Sequence, residues 1–260
     1  MDISVVVPTL KPRDEIEVTE CLERGDFEDY EVLVQDEYPV TRARNEGIRA
    51  ASAEKIVFLD DDSCPRGDYL RRMSSILETE KAVAGRTIHP NDDVFAGQLT
   101  NHYDFGDEPR YVDRFWGCNM AARKEVFDTV GGWDEGMGWG HEEKELADRV
   151  IQQHRIYYHP ELVVYHPYAD SVRGYWRKMY KLETQTPYYW DKKGVSRTRQ
   201  LLRTAELIVN PRSYLAWPPR LTLVKFGGAI ARCVGRLVGI TRRLDDERTV
   251  TREQKPVSPP

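Results

Sequence analysis

With 260 residues, the chain is long enough for one α/β domain plus an appendage, and its formal charge of -5 gives no global case for nucleic-acid binding. Its four cysteines, Cys21, Cys64, Cys118 and Cys233, form no CxxC pair and have no histidines at zinc spacing, so they read as reduced packing residues. The amino terminus is acidic with too short an apolar run for a signal peptide, and no uninterrupted apolar stretch reaches the roughly 18 residues of a spanning helix, so the expected location is the cytoplasm.

The apolar run Ile3 to Val7 predicts a strand that Pro8 ends by removing a ladder donor. A helix is expected over Asp14 to Arg24, stopped by Gly25, then a strand over Tyr30 to Val34 that runs into Gln35, Asp36 and Glu37. Thr41 to Ala53 reads as a helix, and Ile56 to Leu59 as a strand buried on both faces, followed at once by Asp60, Asp61 and Asp62. Strand, helix, strand, helix, strand in about sixty residues implies parallel strands with right-handed crossovers, whose ligands bind beyond the carboxyl ends. Thr9, Asp36 and Asp60 to Asp62 fall on that edge. Three adjacent carboxylates repel one another unless solvent or a cation relieves them, and oxygen ligands of this kind suit Mg²⁺ or Mn²⁺. An acidic loop capping the next helix is the other reading, but three polar strand ends on one edge favour a ligand site. A helix over Asp68 to Thr79 and a strand over Lys81 to Ile88 follow, then His89 to Arg110 with no sustained period, an irregular connection or lid.

From Phe115 the chain is rich in Gly and Trp between two short amphipathic helices. Trp116, Trp133 and Trp139 offer flat surfaces for a sugar ring or bulk for a core. The helix from near His141 has Leu146, Ala147, Val150 and Ile151 as its buried stripe, a surface pair Glu145 and Arg149, and Glu142 and Glu143 in its first turn, where the dipole favours acids whatever their function. Ile156 to Tyr158 and Leu162 to Tyr165 predict two short strands, the second followed by His166. Beyond Asp170 basic and aromatic residues take over. Over Leu221 to Leu244, Lys225, Arg232, Arg236 and Arg243 share one helical stripe opposite Leu223, Phe226, Ile230, Val234, Leu237 and Val238. That pattern suits a helix lying in an anionic membrane surface or one packed on the domain, and its four glycines, poor in a free-standing helix, favour the membrane. The tail from Asp245 to Pro260 is expected to be disordered.

The fragments VVVPTL, EVLVQDE, ARNEGIRAA, IVFLDDDS, GCNMAARKEVFDTVGGWDE, GHEEKELADR and VVYH, in that order over roughly residues 1–170, resemble the family 2 glycosyltransferases of the GT-A fold. The resemblance implies an α/β, Rossmann-like, mainly parallel sheet flanked by helices, a catalytic domain over 1–170 with a nucleotide half (1–90) and an acceptor half (91–170). The residue pattern beyond it adds a helical extension over 171–244, lying on the inner face of the cell membrane or packed on the domain, and a tail over 245–260. It implies a nucleotide-sugar donor bound by Pro8, Thr9, Asp36, Arg44, Asn45, Asp60 and Asp61, and Mn²⁺ or Mg²⁺ held by Asp60, Asp62 and His166. It further implies a glycan or lipid-linked acceptor near Trp116, Asn119, Trp133 and Trp139, and transfer to its hydroxyl with inversion. The general base falls to Glu143, with Glu142 the neighbouring candidate; relatives mostly carry Asp there, and the longer Glu leaves the choice between the two open. A sugar-phosphate nucleotidyltransferase would carry a Gly-rich loop with Arg after the first strand, which PTLKPRDE lacks. A catalytically inactive glycan- or membrane-binding module would have no need of every charged element.

Overall fold

The computed structural model describes residues 1–90, 103–169, 171–215 and 219–253, and divides into two compact units, Met1–Gly138 with Glu142–Asp170, and Trp139–His141 with Ser171–Pro260. Much of the lid expected over His89 to Arg110 lies outside the described residues.

In the first unit, β1 (Ile3–Pro8), β2 (Tyr30–Gln35), β3 (Lys55–Phe58), β4 (Cys64–Pro65), β5 (Ala82–Ile88), β6 (Arg110–Val112), β7 (Met120–Arg123) and β8 (Ile156–Tyr165) form one sheet in the order β2-β1-β3-β7-β5-β8-β4, with β6 also on β8. β1 pairs in parallel with β2 and β3, and β5 in parallel with β8, while β7 runs antiparallel between β3 and β5. The alternation of side chains sorts the centre into two cores. Val6, Ile56 and Phe58 face Phe127, Trp133 and Leu146 on one side; Val5, Val7, Val57 and Leu59 face Tyr69, Met73 and Leu77 on the other. Two-sided burial explains why these strands read as unbroken apolar runs.

The connecting helices are α1 (Glu17–Glu23, after a 3₁₀ turn at Arg13–Glu15), α2 (Val40–Ala50), α3 (Tyr69–Leu77), α4 (Lys124–Val130) and α5 (Glu142–Val150). A Cβ on Gly47 would stand 2.2 Å from Cγ1 of Val6, so only glycine lets α2 lie this close to β1. The sheet is mixed where the expectation was mainly parallel, because MAAR forms a strand that alanine propensity hides. The two short strands expected after Arg155 are one, with a register shift opposite Gly85 and Arg86. Glu145 and Arg149 do pair, at 2.9 and 2.7 Å, but Glu145 is buried, and Arg149 also donates to the carbonyls of Val130, Gly131 and Gly132. The cysteine expectation is corrected: Cys21 of α1 and Cys64 of β4, 43 residues apart, form a disulfide, and only Cys118 and Cys233 are free thiols.

The second unit is helical: α6 (Val172–Glu183), α7 (Thr186–Lys192), α8 (Arg197–Val209), α9 (Arg212–Leu215) and α10 (Pro219–Glu253). Ser171 caps α6 by accepting from the amide of Gly174 at 3.0 Å. α10 lies against α6 through its glycines, where a Cβ would stand 2.4 Å from the Trp176 ring at Gly227 and 2.5 Å from the Tyr180 carbonyl at Gly235. The glycines are therefore a helix-packing seam. The basic stripe turns inward with them: Arg232 and Arg236 each donate to Glu183 at 2.6 Å, Arg243 to Asp191 at 3.2 Å, and Lys225 lies over the Tyr175 ring. The opposite stripe, Leu223, Phe226, Ile230, Val234 and Leu237, is 36% to 74% exposed. α10 also runs to Glu253, past the Leu244 boundary expected from sequence, so residues 245–253 are helical where a tail was expected; 254–260 lie outside the described residues. Among the described residues no helix is long and apolar enough to cross a membrane.

Candidate active site

The parallel strands deliver their polar ends to one edge of the first unit: Thr9 after β1, Asp36 after β2, Asp60 to Asp62 after β3 and His166 after β8. The three aspartates divide their work. Asp61 accepts from Thr9 Oγ1 and pairs with Lys11 at 2.8 Å, and its carbonyl accepts from the amide of Val18 at 3.2 Å, so it fastens the loop. Asp60 and Asp62 turn toward His166, whose Nε2 lies 3.4 Å from Asp60 Oδ2 and 3.1 Å from Asp62 Oδ1. The amide of His166 donates to the Ile88 carbonyl at 3.0 Å, which fixes the histidine just beyond the sheet. Burial alone would lower its pKa, but hydrogen bonds and charge from Asp60 and Asp62 outweigh that and bring it up to about 9. A positive charge is favoured at this point, and a divalent cation satisfies the same demand.

Cys118 joins this group from the turn before β7, where the Asn119 amide donates to the Trp116 carbonyl at 2.9 Å. Asp60, Cys118 and His166 each offer a ligand atom, all within 4.8 Å of one another. Oxygen, nitrogen and sulfur donors gathered this closely fit a divalent metal ion. The sequence treated Cys118 as packing because nothing in its neighbours marks it; only the fold brings it to residues 60 and 166.

Arg44 organises the other side. Its buried guanidinium reaches Glu142 at 3.1 Å and Asp60 at 3.5 Å and stacks 4.5 Å over the Trp133 ring. Gly117 makes room, since a Cβ there would stand 2.3 Å from Arg44 Nη2. Glu142 is thereby buried in an ion pair, while among the described residues no basic group pairs with the half-buried Glu143. Burial and the charge of Glu142 raise the pKa of Glu143 against the pull of Arg44. A carboxylate with raised proton affinity is suited to accept a proton near neutral pH.

The remaining expected site residues separate by burial. Asn45 donates to the Trp133 carbonyl and to Glu135, both at 2.9 Å, and accepts from the Trp133 amide at 2.7 Å, so it pins the loop after α4. Asn119 is fully buried, donating to the carbonyls of Arg86 and Leu162 and accepting from Tyr69. Trp133 packs edge-on against Phe58 in the core. Asn45, Asn119 and Trp133 therefore serve the framework of the site. Pro8 is buried as the last residue of β1. Trp116 is half-buried and stacks edge-on with Tyr103, which does the same with Tyr168. Burial first, then the charges of neighbours including Glu143 and Asp60, push the Tyr103 phenol well up, so this aromatic cluster stands beside the carboxylates. Trp139, 41% exposed, belongs to the second unit, where Lys178 lies over its ring.

Residues 17–131 match the family model described as glycosyl transferase family 2, and residues 99–164 match one described as the N-terminal domain of galactosyltransferase. A pre-mycofactocin glycosyltransferase of Mycobacterium tuberculosis is 24% identical over 76% of this chain and 42% of its own length. A dTDP-rhamnosyl transferase of Shigella flexneri is 26% identical over 51% of this chain and 50% of its own. The chain thus spans about half or less of the length of these curated relatives. Among solved structures, the mannosyltransferase PcManGT of Pyrobaculum calidifontis, in complex with GDP-Man and Mn²⁺, aligns with a TM-score of 0.59 at 16% identity over 94% of this chain and 87% of its own. Staphylococcus aureus TarS 1-349 aligns with a TM-score of 0.54 at 13% identity over 94% of this chain and 92% of its own. These two likenesses concern the fold.

Proposed function

Starting from a chain that belongs to the family 2 glycosyltransferases, we propose that it transfers a sugar from a nucleotide-sugar donor to an acceptor hydroxyl, with inversion at the anomeric carbon and with a divalent metal ion. The observation that carries this reading is the unequal treatment of two adjacent glutamates: Arg44 neutralises Glu142, and Glu143 is left with a raised proton affinity on the edge that holds Asp60, Asp62 and His166. Glu143 takes the proton of the acceptor hydroxyl on one face of the sugar. Asp60, Asp62 and His166 would hold the cation, which would offset the charge of the departing nucleoside diphosphate. Thr9 and Lys11 keep Asp61 and its loop in place, and Pro8 and Asp36 border the nucleotide. The half-buried Trp116 with Tyr103 offers the acceptor an aromatic wall.

The second unit supplies a place of work. Residues 171–260 hold 19 Lys and Arg against 7 Asp and Glu, and α10 exposes an apolar stripe. A helix with an apolar face on a basic body suits the boundary of an anionic bilayer, and a lipid-linked or polysaccharide acceptor would be met there; the same positive charge opposes a second copy of the unit.

The test is a panel of nucleotide sugars with Mn²⁺ and with Mg²⁺, read by released nucleotide and by the anomeric configuration of the product. Metal-stimulated release with an inverted product supports the reading. Retained configuration, or indifference to chelator, overturns inversion or the metal respectively; pyrophosphate release from a nucleoside triphosphate and a sugar phosphate would point to nucleotidyl transfer instead.

A further inference from the structure

The cation site has a feature that an all-oxygen and imidazole set lacks. Cys118 is buried, and its sulfur lies within 4.8 Å of ligand atoms on both Asp60 and His166. Three contacts hold it there. Ser63 Oγ, next to the aspartate loop, donates to the Cys118 carbonyl at 3.4 Å, and the Thr87 hydroxyl lies 3.8 Å from the sulfur. The Asn119 side chain, locked to β5 and β8, fixes the residue that follows. The other cysteines have no such placement, since Cys21 and Cys64 are bonded to each other and Cys233 lies on α10 of the second unit.

We infer that Cys118 is a thiolate ligand of the cation that Asp60 and His166 hold, and that it tunes the site toward borderline ions such as Co²⁺ and Zn²⁺ over Mg²⁺. Ligand softness is the reason: Mg²⁺ takes oxygen donors and keeps its waters, whereas the later divalent ions gain from nitrogen and sulfur. On binding, the Cys118 S–H bond breaks, its electron pair forms the sulfur–metal bond, and the proton leaves to solvent. The carboxylates reach solvent, at 32% for Asp60 and 33% for Asp62, so the ion enters from their side and meets the sulfur at the inner end.

The inference rests on the reading of Asp60, Asp62 and His166 as cation ligands, and the experiment separates the two. The full chain is titrated with Co²⁺ and followed by absorbance, with affinity measured independently by calorimetry. A sulfur-to-cobalt charge-transfer band in the near ultraviolet that saturates with binding, and that persists in Cys233→Ser, is the expected result, because Cys118 is then the one remaining free thiol. Cys118→Ala is expected to lose the band and about tenfold or more in Co²⁺ affinity, with Mg²⁺ affinity nearly unchanged. Stoichiometric Co²⁺ binding without the band overturns the thiolate alone; no Co²⁺ binding overturns the cation site with it. A band that disappears in Cys233→Ser, or survives in Cys118→Ala, also refutes the assignment. Should Cys118→Ala fail to fold, the wild-type and Cys233→Ser spectra still decide.

Discussion

Both units pair their buried glutamates with arginine, but among the described residues only the first leaves half-buried carboxylates without a lysine or arginine. In the second, Glu183 is fully buried and saturated, with Arg232 and Arg236 on its two oxygens and the Thr186 hydroxyl donating at 2.6 Å. In the first, positive charge is rationed: Arg44 serves Glu142 and Asp60, Lys11 serves Asp61, and Asp62 and Glu143 are left with no arginine or lysine partner among the described residues. The composition repeats the contrast, with 19 basic against 36 acidic residues in 1–170 and 19 against 7 in 171–260. A carboxylate matched by cations is architecture. One kept short of them is prepared to take a proton or a metal ion.

The comparison breaks first at Glu143. Glu143→Gln is expected to lower turnover by about 10²- to 10⁴-fold with the melting temperature nearly unchanged, since no ion pair is lost. Glu142→Gln should instead cost stability, because it leaves the Arg44 guanidinium buried without its nearest partner. If Glu142→Gln abolishes turnover in a stable protein while Glu143→Gln does not, the roles are reversed.

Glu183 comes next. Burial would raise its pKa, yet Arg232 and Arg236 bring it from the ordinary 4.5 down to about 2. Its folded pKa is depressed, so the stabilisation is complete above pH 4.5 and is lost as pH falls from there toward 2. Glu183→Gln should cost about 3–5 kcal/mol in a denaturant melt at pH 7 and flatten the acid limb of stability. An unchanged acid limb would show that other carboxylates govern it.

Asp62→Asn is expected to weaken Mn²⁺ by about 10- to 100-fold, with proportionate loss of metal-dependent donor binding. Unaltered Mn²⁺ affinity by calorimetry removes Asp62 from the ligand set. The smallest effect on turnover is expected from Ile230→Asp with Val234→Asp, which should abolish co-sedimentation with anionic vesicles while turnover on a soluble acceptor stays within about twofold. Binding that persists places the membrane face elsewhere.

The sequence made one edge of the first unit legible because strand runs announce themselves: the runs ending near Pro8, Gln35, Leu59 and Tyr165 are strands, and the candidate residues Thr9, Asp36, Asp60 to Asp62 and His166 stand just beyond them. What it hid had physical causes. MAAR is a strand because β3 and β5 clasp it, which local propensity does not record. The Cys21–Cys64 pairing spans 43 residues, and spacing says nothing of proximity. On α10 the periodicity resolved two stripes but not which one faces the protein. Gly228, Gly235 and Gly239 held that answer, since they share the side of Arg232 and Arg236 and a seam of small residues marks a packed face. Asn45, Asn119 and Trp133 stood in motif positions but are buried in the framework, a distinction that needs burial to be seen.

Arg44 has one more implication, for anyone recombining chains of this fold. Its side chain spans from α2 of the first unit to the first residue of α5, next to Glu143. It thereby acts as a gauge bar that sets the distance between α2 and α5. A chimera cut between them inherits the bar from one parent and its seat from the other, so Arg44, Gly117 and Glu142 must travel as a set.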